Sequence, residues 1–126
     1  MKIFLKSLKK NLNKLENCIF CQIVKGSIPA KKIFEDEDIL AFDDIAPKAP
    51  VHFLVIPKKH LSTVSDMQEE DQKLFGKMIF KAQDLAKKKG LKGWKMLFNV
   101  NKEGGQVVFH VHLHILGGGK SDLENC

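Results

Sequence analysis

The stretch GGQVVFHVHLHILGGG, residues 104–119, places three of the chain's five histidines at alternate positions, namely His110, His112 and His114. Successive side chains of a β-strand point to opposite faces, so the three imidazoles would share one face. The opposite face would pack on the core through Phe109, Val111, Leu113 and Ile115. We therefore predict a strand over residues 107–116 whose histidine face lines a functional site.

Two kinds of chemistry suit three aligned imidazoles. Neutral imidazole is a common ligand of transition metals. It is also a nucleophile that can attack phosphorus and form a covalent intermediate. The flanking glycines favour phosphate chemistry, because Gly104 and Gly105 have no Cβ and let backbone N–H groups approach an anion.

The basic residues point to the same chemistry. All 21 of them are lysines, and the net charge is +6, which favours anionic partners. Without arginine the chain lacks the planar side chain that grips phosphate through two parallel hydrogen bonds. A phosphate would therefore be bound by backbone N–H groups, histidine or lysine, and Lys102 lies close to the glycines.

Length and composition indicate one globular domain. The chain has 126 residues, of which 44% are hydrophobic and 29% are charged, and these fractions are ordinary for soluble proteins. No run approaches the roughly 18 apolar residues of a membrane span. Three cysteines do not suggest a disulfide framework, so we expect a reducing, cytoplasmic location.

The hydrophobic pattern predicts an α+β fold with an antiparallel sheet. Five strands are expected, over residues 31–35, 38–44, 51–57, 94–100 and 107–116. One long helix is expected between the third and fourth strands, capped by Ser65 or Asp66 and ending near Gly90. Its apolar stripe would consist of Met67, Leu74, Met78, Ile79 and Leu85.

Residues 1–16 form a separate predicted unit, a basic N-terminal extension ahead of a domain over residues 17–126. Helical spacing of apolar side chains over this extension involves Leu5, Leu8, Leu12 and Leu15. Lysines occupy the remaining faces, so the extension is predicted to be an amphipathic helix. Such a helix packs on the domain or on a partner, or lies on a membrane surface, and the sequence leaves these alternatives open.

Cys18 and Cys21 form the motif C-I-F-C, whose spacing is that of half a zinc site. Three interpretations stay open: a zinc site, a redox-active pair of thiols, and two reduced cysteines in the core. A thioredoxin-like role is disfavoured because no β-α-β pattern precedes the pair. His60, in the stretch PKKH, is expected to be a surface residue before the long helix.

The stretch HVHLHIL matches the H-x-H-x-H-x-x signature of the histidine triad (HIT) family, and the region from about Cys18 to Gly118 resembles that family. The blocks KKIFEDEDILAFDDIAPKAPVHFLVIPKKH and GGQVVFHVHLHILGG look especially like its Hint branch, the purine nucleoside phosphoramidases. The resemblance implies the HIT fold, a five-stranded antiparallel sheet with a long helix. It also implies a homodimer in which two sheets join into one.

The resemblance further implies roles for four histidines. His112 matches the nucleophile that attacks the α-phosphorus and carries the nucleotidyl group until water releases the nucleoside monophosphate. His114 matches the residue that contacts the phosphate and assists the leaving group. His110 and His52 match histidines that form a proton-relay network behind the nucleophile in Hint enzymes.

The same resemblance implies a nucleotide-binding site. Asp44 matches an acid that accepts hydrogen bonds from the 2′- and 3′-hydroxyls of a ribose. The phosphate contacts would come from Asn99 and from the backbone of Gly105, Gln106 and Val107. The base would lie in an apolar pocket formed by Phe20, Ile23, Ile45 and Leu54.

Some features of the chain depart from the Hint pattern. Val107 stands where that branch usually has serine, and the residues after Gly119 lack its Trp-Pro-Pro-Gly tail, so the leaving-group preference is open. In some bacterial relatives and in galactose-1-phosphate uridylyltransferases, two histidines complete a similar cysteine pair. They match His52 and His110, and a zinc-bound nitrogen of His110 cannot also relay a proton. Zinc would be structural, and the chemistry requires no cofactor.

The implied function is hydrolysis of the P–N bond in adenosine or guanosine phosphoramidates through a covalent nucleotidyl-histidine intermediate. One alternative is hydrolysis of dinucleoside polyphosphates, as in the Fhit branch. Another is a nucleotide- or zinc-binding adaptor whose turnover is incidental. The expected partners are a purine nucleotide and a second copy of the chain, with neither nucleic acid nor a membrane span.

Overall fold

The computed structural model describes residues 17–119, so the extension predicted over residues 1–16 lies outside the described part of the chain. Five strands form one sheet, and they are β1 (Lys32–Glu35), β2 (Ile39–Asp43), β3 (Val51–Pro57), β4 (Lys95–Leu97) and β5 (Leu113–Gly117). Hydrogen bonds join them in the order β1-β2-β3-β5-β4, and every pair is antiparallel. The predicted α+β class and its five-stranded antiparallel sheet are confirmed.

Two α-helices cover opposite faces of the sheet. The short helix α1 (Ile19–Lys25) begins after Cys18, whose Sγ accepts a hydrogen bond from the Cys21 N–H. The long helix α2 (Gln72–Lys88) packs against the other face, mainly on β3 and β5. Because both faces are covered, the central strands β2 and β3 read as nearly continuous apolar runs instead of alternating ones.

Each face has its own apolar cluster. The α2 side buries side chains of the sheet and the helix together, including Phe53, Val55, Met78, Ala82 and Ile115. The α1 side buries the alternate residues of the same strands, including Phe42, Leu54 and Ile56, together with Phe20 and Ile23 of the helix. The sheet is therefore the middle of three layers, and the histidines lie in the α1 layer, where Phe20 contacts both His110 and His112.

The last strand is shorter than predicted. Strand β5 begins at Leu113, so His110 and His112 precede it. The alternation nevertheless holds for Val111, which is buried in the α2 cluster with Leu113 and Ile115. It fails for Phe109, which is 47% exposed. The strand predicted over residues 94–100 likewise contracts to β4, Lys95–Leu97.

The long helix starts later than predicted because a 3₁₀ turn, Glu69–Asp71, precedes it and is capped by Gln68 and Asp71. The Gln68 N–H donates to the Asp71 carboxylate, and Asp71 is the N-cap of α2. Ser65 and Asp66 belong instead to a separate 3₁₀ turn, Val64–Asp66. The apolar stripe is also rotated: Phe75, Ala82 and Ala86 are buried, whereas Ile79 is 46% exposed.

The exposed side of α2 carries two large apolar residues, Ile79 and Phe80, and Phe80 is 66% exposed. The homodimer expected from the family resemblance stays a prediction. Every helix within residues 17–119 is too short or too polar to cross a membrane.

Candidate functional site

Main-chain and side-chain hydrogen bonds hold the start of the triad beside the end of β3. The Val111 N–H donates to the Leu61 carbonyl at 2.7 Å. The His110 ring lies 2.8 Å, through Nε2, from the Pro57 carbonyl. Since a carbonyl can only accept, His110 carries its proton on Nε2 and presents the lone pair of Nδ1. Burial lowers the pKa of His110 to about 4, so its imidazole is neutral near pH 7.

His112 is held with one ring nitrogen tied back and the other free. Its Nδ1 lies 2.7 Å from the His110 carbonyl and must donate to it. The lone pair of a neutral ring is then on Nε2, which makes no hydrogen bond within residues 17–119. The edge of the Phe20 ring packs on the imidazole with centroids 5.2 Å apart. Burial lowers the pKa of His112, which keeps this nitrogen nucleophilic.

Two successive hydrogen bonds, from Lys48 to His52 and from His52 to His114, fix the protons of both imidazoles. The Lys48 N–H donates to His52 Nδ1 at 3.1 Å, so the proton of a neutral His52 is on Nε2. His52 Nε2 lies 3.0 Å from His114 Nδ1 and donates to it. The proton of His114 is consequently on Nε2, and this buried nitrogen has no partner within the described residues. An unpartnered buried donor points to a ligand that the site is built to receive.

The electrostatics of this pair keep both rings neutral. Burial, followed by the nearby His112 and His52, lowers the pKa of His114 to about 4. Burial also lowers the pKa of His52, although the charge of Asp44 opposes the shift. Near pH 7 the site therefore offers neutral imidazoles, one with a free lone pair and one with a free N–H.

This shift makes the stability of the fold depend on pH through His114. The folded pKa of about 4 lies below the ordinary 6.5, so the unfolded chain binds more protons between these values. We expect the free energy of unfolding to fall as the pH drops from 6.5 towards 4. Thermal unfolding at pH 7 and pH 4.5 measures the effect, and His114→Asn should reduce the loss by about 5 °C. Equal losses in both proteins would contradict the assignment.

Asp44 lies at the end of this pair of histidines. Its Oδ2 is 3.3 Å from His52 Nε2, and its Oδ1 accepts the Ala46 N–H at 2.8 Å. The neighbouring Asp43 faces the α2 side, where its carboxylate is 3.8 Å from Lys89 Nζ. Only Asp44 is therefore directed towards the histidines.

The glycine-rich loop is closed by its own hydrogen bonds. The Gly105 N–H donates to the Lys102 carbonyl, and the Gln106 N–H donates to the Asn101 carbonyl. These two amides are already engaged, whereas the Val107 N–H has no acceptor within residues 17–119. The Asn99 side chain faces the loop, since a Cβ on Gly105 would lie 4.0 Å from Asn99 Oδ1.

The proposed base pocket is only partly assembled. Phe20, Ile23 and Leu54 are buried together on the α1 side of the sheet. Ile45 is fully exposed and contributes nothing to that cluster. The contact of Ile45 with the base of a bound nucleotide stays a prediction.

The two cysteines lie with two histidines in a buried cluster. Sγ of Cys18 is 3.3 Å from Nδ1 of His110, and Sγ of Cys21 is 3.3 Å from Nδ1 of His60. His60 is therefore a member of this cluster and not a surface residue. The prediction that His52 completes the cysteine pair is wrong, because His52 lies in the group with Asp44 and His114.

The strand register explains why His60, and not His52, lies beside the two cysteines. Strands β3 and β5 are antiparallel, with Leu54 opposite His114. The chain before β5 therefore runs beside the end of β3 and brings His110 near His60, which follows that end. The order of the triad, combined with an antiparallel pairing, was the signal that could have identified His60.

The cysteine cluster fits a tetrahedral metal. Zinc with bonds of about 2.3 Å to sulfur and about 2.0 Å to nitrogen separates such ligands by roughly 3.5 Å. Three sulfur–nitrogen distances are 3.3 to 3.5 Å, and all four ligand atoms lie within 4.8 Å of one another. His110 Nε2 donates to the Pro57 carbonyl, which leaves the lone pair of its Nδ1 facing the sulfurs. His60 also turns Nδ1 towards the sulfurs, while its Nε2 lies 3.3 Å from Ser62 Oγ.

The second group, Asp44, His52 and His114, does not fit a metal. Its ligand atoms are also close together. A metal on His52 Nε2 would require the ring proton on Nδ1, where the Lys48 N–H already donates. Two donors would then face each other, so this group is a hydrogen-bonded relay and not a ligand set.

A cavity of about 470 Å³ lies away from the histidines, near the start of α2. It is lined by four lysines, four acidic residues and Leu74. Several of these charges are paired, such as Lys59 with Asp71 at 2.8 Å. Because the charges balance, this cavity carries no evident preference for an anionic ligand.

Comparisons with known proteins agree with this geometry. Residues 17–124 match the family described as "Scavenger mRNA decapping enzyme C-term binding". The chain is 47% identical over 104 residues to Protein HitA of Neisseria gonorrhoeae, covering 82% of this chain and 97% of that protein.

Two solved structures share the fold. A HIT family hydrolase from Legionella pneumophila Philadelphia 1 has a TM-score of 0.81 and 50% identity, with 82% of this chain and 95% of that chain covered. A histidine triad protein from Clostridium difficile has a TM-score of 0.80 and 40% identity, with 83% and 93% covered.

Proposed function

Because this chain belongs to the histidine triad family, we propose that it is a nucleotide-binding hydrolase that cleaves the P–N bond of purine nucleoside phosphoramidates. The Legionella relative, half identical in sequence, is described as a hydrolase. In this proposal His112 attacks the α-phosphorus and carries the nucleotidyl group.

One observation carries the proposal: two adjacent neutral imidazoles are fixed in complementary tautomers. His112 has its lone pair on an unengaged Nε2, because Nδ1 donates to the His110 carbonyl. His114 has an unpartnered N–H on Nε2, because Nδ1 accepts from His52. Their ring centroids are 4.8 Å apart, so one phosphoryl group can meet both. A nucleophile beside a donor for a phosphoryl oxygen is what displacement at phosphorus requires.

The reaction has two displacements. In the first, a bond forms between His112 Nε2 and phosphorus, the P–N bond breaks, and the departing nitrogen takes up a proton to leave as an amine. In the second, water attacks phosphorus, the bond to His112 breaks, and the nucleoside monophosphate leaves with release of a proton. The His114 N–H stabilises negative charge on the phosphoryl oxygens in both steps.

Substrate binding would use groups at both ends of this pair. The Asp44 carboxylate can accept hydrogen bonds from the ribose hydroxyls, and it stands beside His52 at 3.3 Å. The Val107 N–H and the Asn99 side chain are the loop groups best placed for phosphate, since Gly105 and Gln106 use their own amides within the loop. Phe20, Ile23 and Leu54 provide an apolar wall for the base.

We also propose that Cys18, Cys21, His60 and His110 hold a structural zinc ion. The nitrogen and sulfur donors and their spacing support this set. Burial raises the pKa of the Cys21 thiol to about 12, so without a cation this thiol stays protonated near pH 7. Zinc would replace thiol protons and tie α1 to the segment that carries the triad.

Incubation with adenosine 5′-phosphoramidate and, separately, with diadenosine tetraphosphate tests the proposed reaction, with AMP release as the readout. We expect rapid release from the phosphoramidate and release at least about tenfold slower, in kcat/KM, from the tetraphosphate. Faster cleavage of the tetraphosphate would favour the hypothesis of a dinucleoside polyphosphate hydrolase. AMP binding without release from either substrate would favour the hypothesis of a nucleotide-binding adaptor.

A further inference from the structure

The loop before the triad contains a strained residue. Asn101 has φ 62° and ψ 172°, and among residues 17–119 it is the only residue other than glycine with a positive φ. This region of backbone space is populated almost entirely by glycine, because a side chain clashes with the neighbouring peptide groups. Such a conformation persists only where the surroundings hold it in place.

The contacts that hold Asn101 come from two segments. Its N–H is shared by two acceptors, Gln106 Oε1 at 2.9 Å and Thr63 Oγ1 at 3.2 Å. Its side-chain Oδ1 accepts the Ser65 hydroxyl at 3.1 Å. Its carbonyl accepts from the amides of Gly104 and Gln106, which closes the loop. The segment 62–65 is thus hydrogen-bonded to the loop through Asn101.

Gln106 adds a second attachment to the same segment. Its buried side chain donates through Nε2 to the Ser62 carbonyl at 2.7 Å and to the Val108 carbonyl at 3.0 Å. The family resemblance gave Gln106 a role through its backbone, and the structure adds that its side chain fastens the loop. Thr63, also buried, completes this attachment with a hydroxyl that faces Asn101.

We propose that Thr63 is a positioning residue for the loop 101–107, holding Asn101 in its strained conformation so that the Val107 N–H meets the phosphoryl group of a bound nucleotide. The identity of that ligand rests on the proposed function, whereas the positioning of the loop does not. Since the segment 62–65 follows His60, the attachment also links the loop to the cysteine cluster.

The strain at Asn101 should make the effect of the Thr63 hydroxyl depend on which residue stands at position 101. Without the Thr63 hydroxyl, Asn101 loses an acceptor for its N–H and can relax towards a common conformation, which moves the loop. A glycine at position 101 adopts the same backbone without strain. The Thr63 hydroxyl should therefore matter much less when residue 101 is glycine.

The test compares Thr63→Val and Thr63→Ser, each with Asn101 or with Asn101→Gly, in the full chain. The first readout is hydrogen exchange at the Gly104 and Gln106 amides, whose acceptor is the Asn101 carbonyl. The second is the affinity for AMP relative to adenosine, which isolates the phosphate contribution. Exchange within α2 reports whether the fold itself is affected.

With Asn101 present, we expect Thr63→Val to speed exchange of the two loop amides by about tenfold. It should weaken AMP binding by a similar factor and leave adenosine binding unchanged. Thr63→Ser, which keeps the hydroxyl, should behave like the wild type. With Asn101→Gly, the effect of Thr63→Val on both readouts should shrink to within about threefold.

Equal effects of Thr63→Val in the two backgrounds, or no change in loop exchange, would overturn the proposal. If Thr63→Val does not fold, Ser65→Ala replaces it, because Ser65 is exposed and also binds Asn101; unchanged loop exchange in that variant overturns the proposal as well. Failure of the wild type to bind AMP would refute the proposed function, while the exchange data would still decide the role of Thr63.

Discussion

Replacing His112 with alanine is expected to reduce AMP release from adenosine 5′-phosphoramidate by at least about a thousandfold, since removing a covalent nucleophile abolishes the reaction path that depends on it. The reason lies in the tautomer of this ring. Only His112 combines an Nδ1 that donates to a carbonyl with an Nε2 that makes no hydrogen bond in the described chain. The lone pair of His110 is on Nδ1 and faces the cysteine sulfurs, and that of His114 is on Nδ1 and accepts from His52.

A matched variant separates the nucleophile from the hydrogen bond. His112→Asn can place an amide N–H where Nδ1 lies and keep the bond to the His110 carbonyl, but it supplies no nucleophile. We expect both variants to be inactive, with the asparagine variant closer to wild type in thermal stability. Mass spectrometry of acid-sensitive adducts should detect a nucleotidylated wild-type chain only. Activity within tenfold of wild type in His112→Asn would rule out the covalent path through this residue.

Removing both cysteines of the buried cluster should have the second large effect. We expect Cys18→Ser with Cys21→Ser to abolish zinc binding and to lower the midpoint of thermal unfolding by about 10 °C or more, because metal binding contributes directly to folding. AMP release should also decline. His110 is both a member of the cluster and the residue whose carbonyl holds His112, so a loosened His110 disorients the nucleophile.

Metal content by elemental analysis and thermal unfolding with and without a chelator measure this prediction. Cys126→Ser is the matched control, since it removes the third thiol of the sequence and leaves Cys18 and Cys21 in place. The control should keep one zinc per chain and should melt at the lower temperature only after chelation. A wild-type chain that binds no zinc when zinc is supplied, or a chelator without effect, would contradict the metal assignment. The cysteines would then be core residues.

The elements that sequence predicted well are those dominated by burial. Strand β3 has the bounds that its apolar run indicated, and β2 differs only at its ends. The start of α2 was misplaced because Gln68 and Asp71 cap the 3₁₀ turn Glu69–Asp71 that leads into it, although Ser65 and Asp66 offered equally good capping chemistry. Intrinsic preference cannot rank two caps when tertiary packing selects one of them.

The candidate site shows a similar division. The triad, Asp44 and the glycine loop were visible as motifs, and the structure brings His112, His114 and Asp44 into one region. The stretch around His110 and His112 is not a strand, because its contacts are to Pro57 and Leu61, past Val55, where the pairing of β3 with β5 ends. Such pairings between side chain and distant backbone leave no periodicity in a sequence.

The Lys48 amide that donates to His52 has a consequence for how protons enter the reaction. A peptide N–H does not release its proton near pH 7. The row of hydrogen bonds from Lys48 through His52 to His114 therefore has no proton source at its Lys48 end. It can polarise the substrate, yet a proton taken from it would leave behind an imidazolate. In the proposed reaction, the departing nitrogen would therefore draw its proton from solvent. Turnover should consequently rise with the basicity of the leaving amine. The hydrogen-bonded pair of His52 and His114 would in this way select which amines can serve as leaving groups.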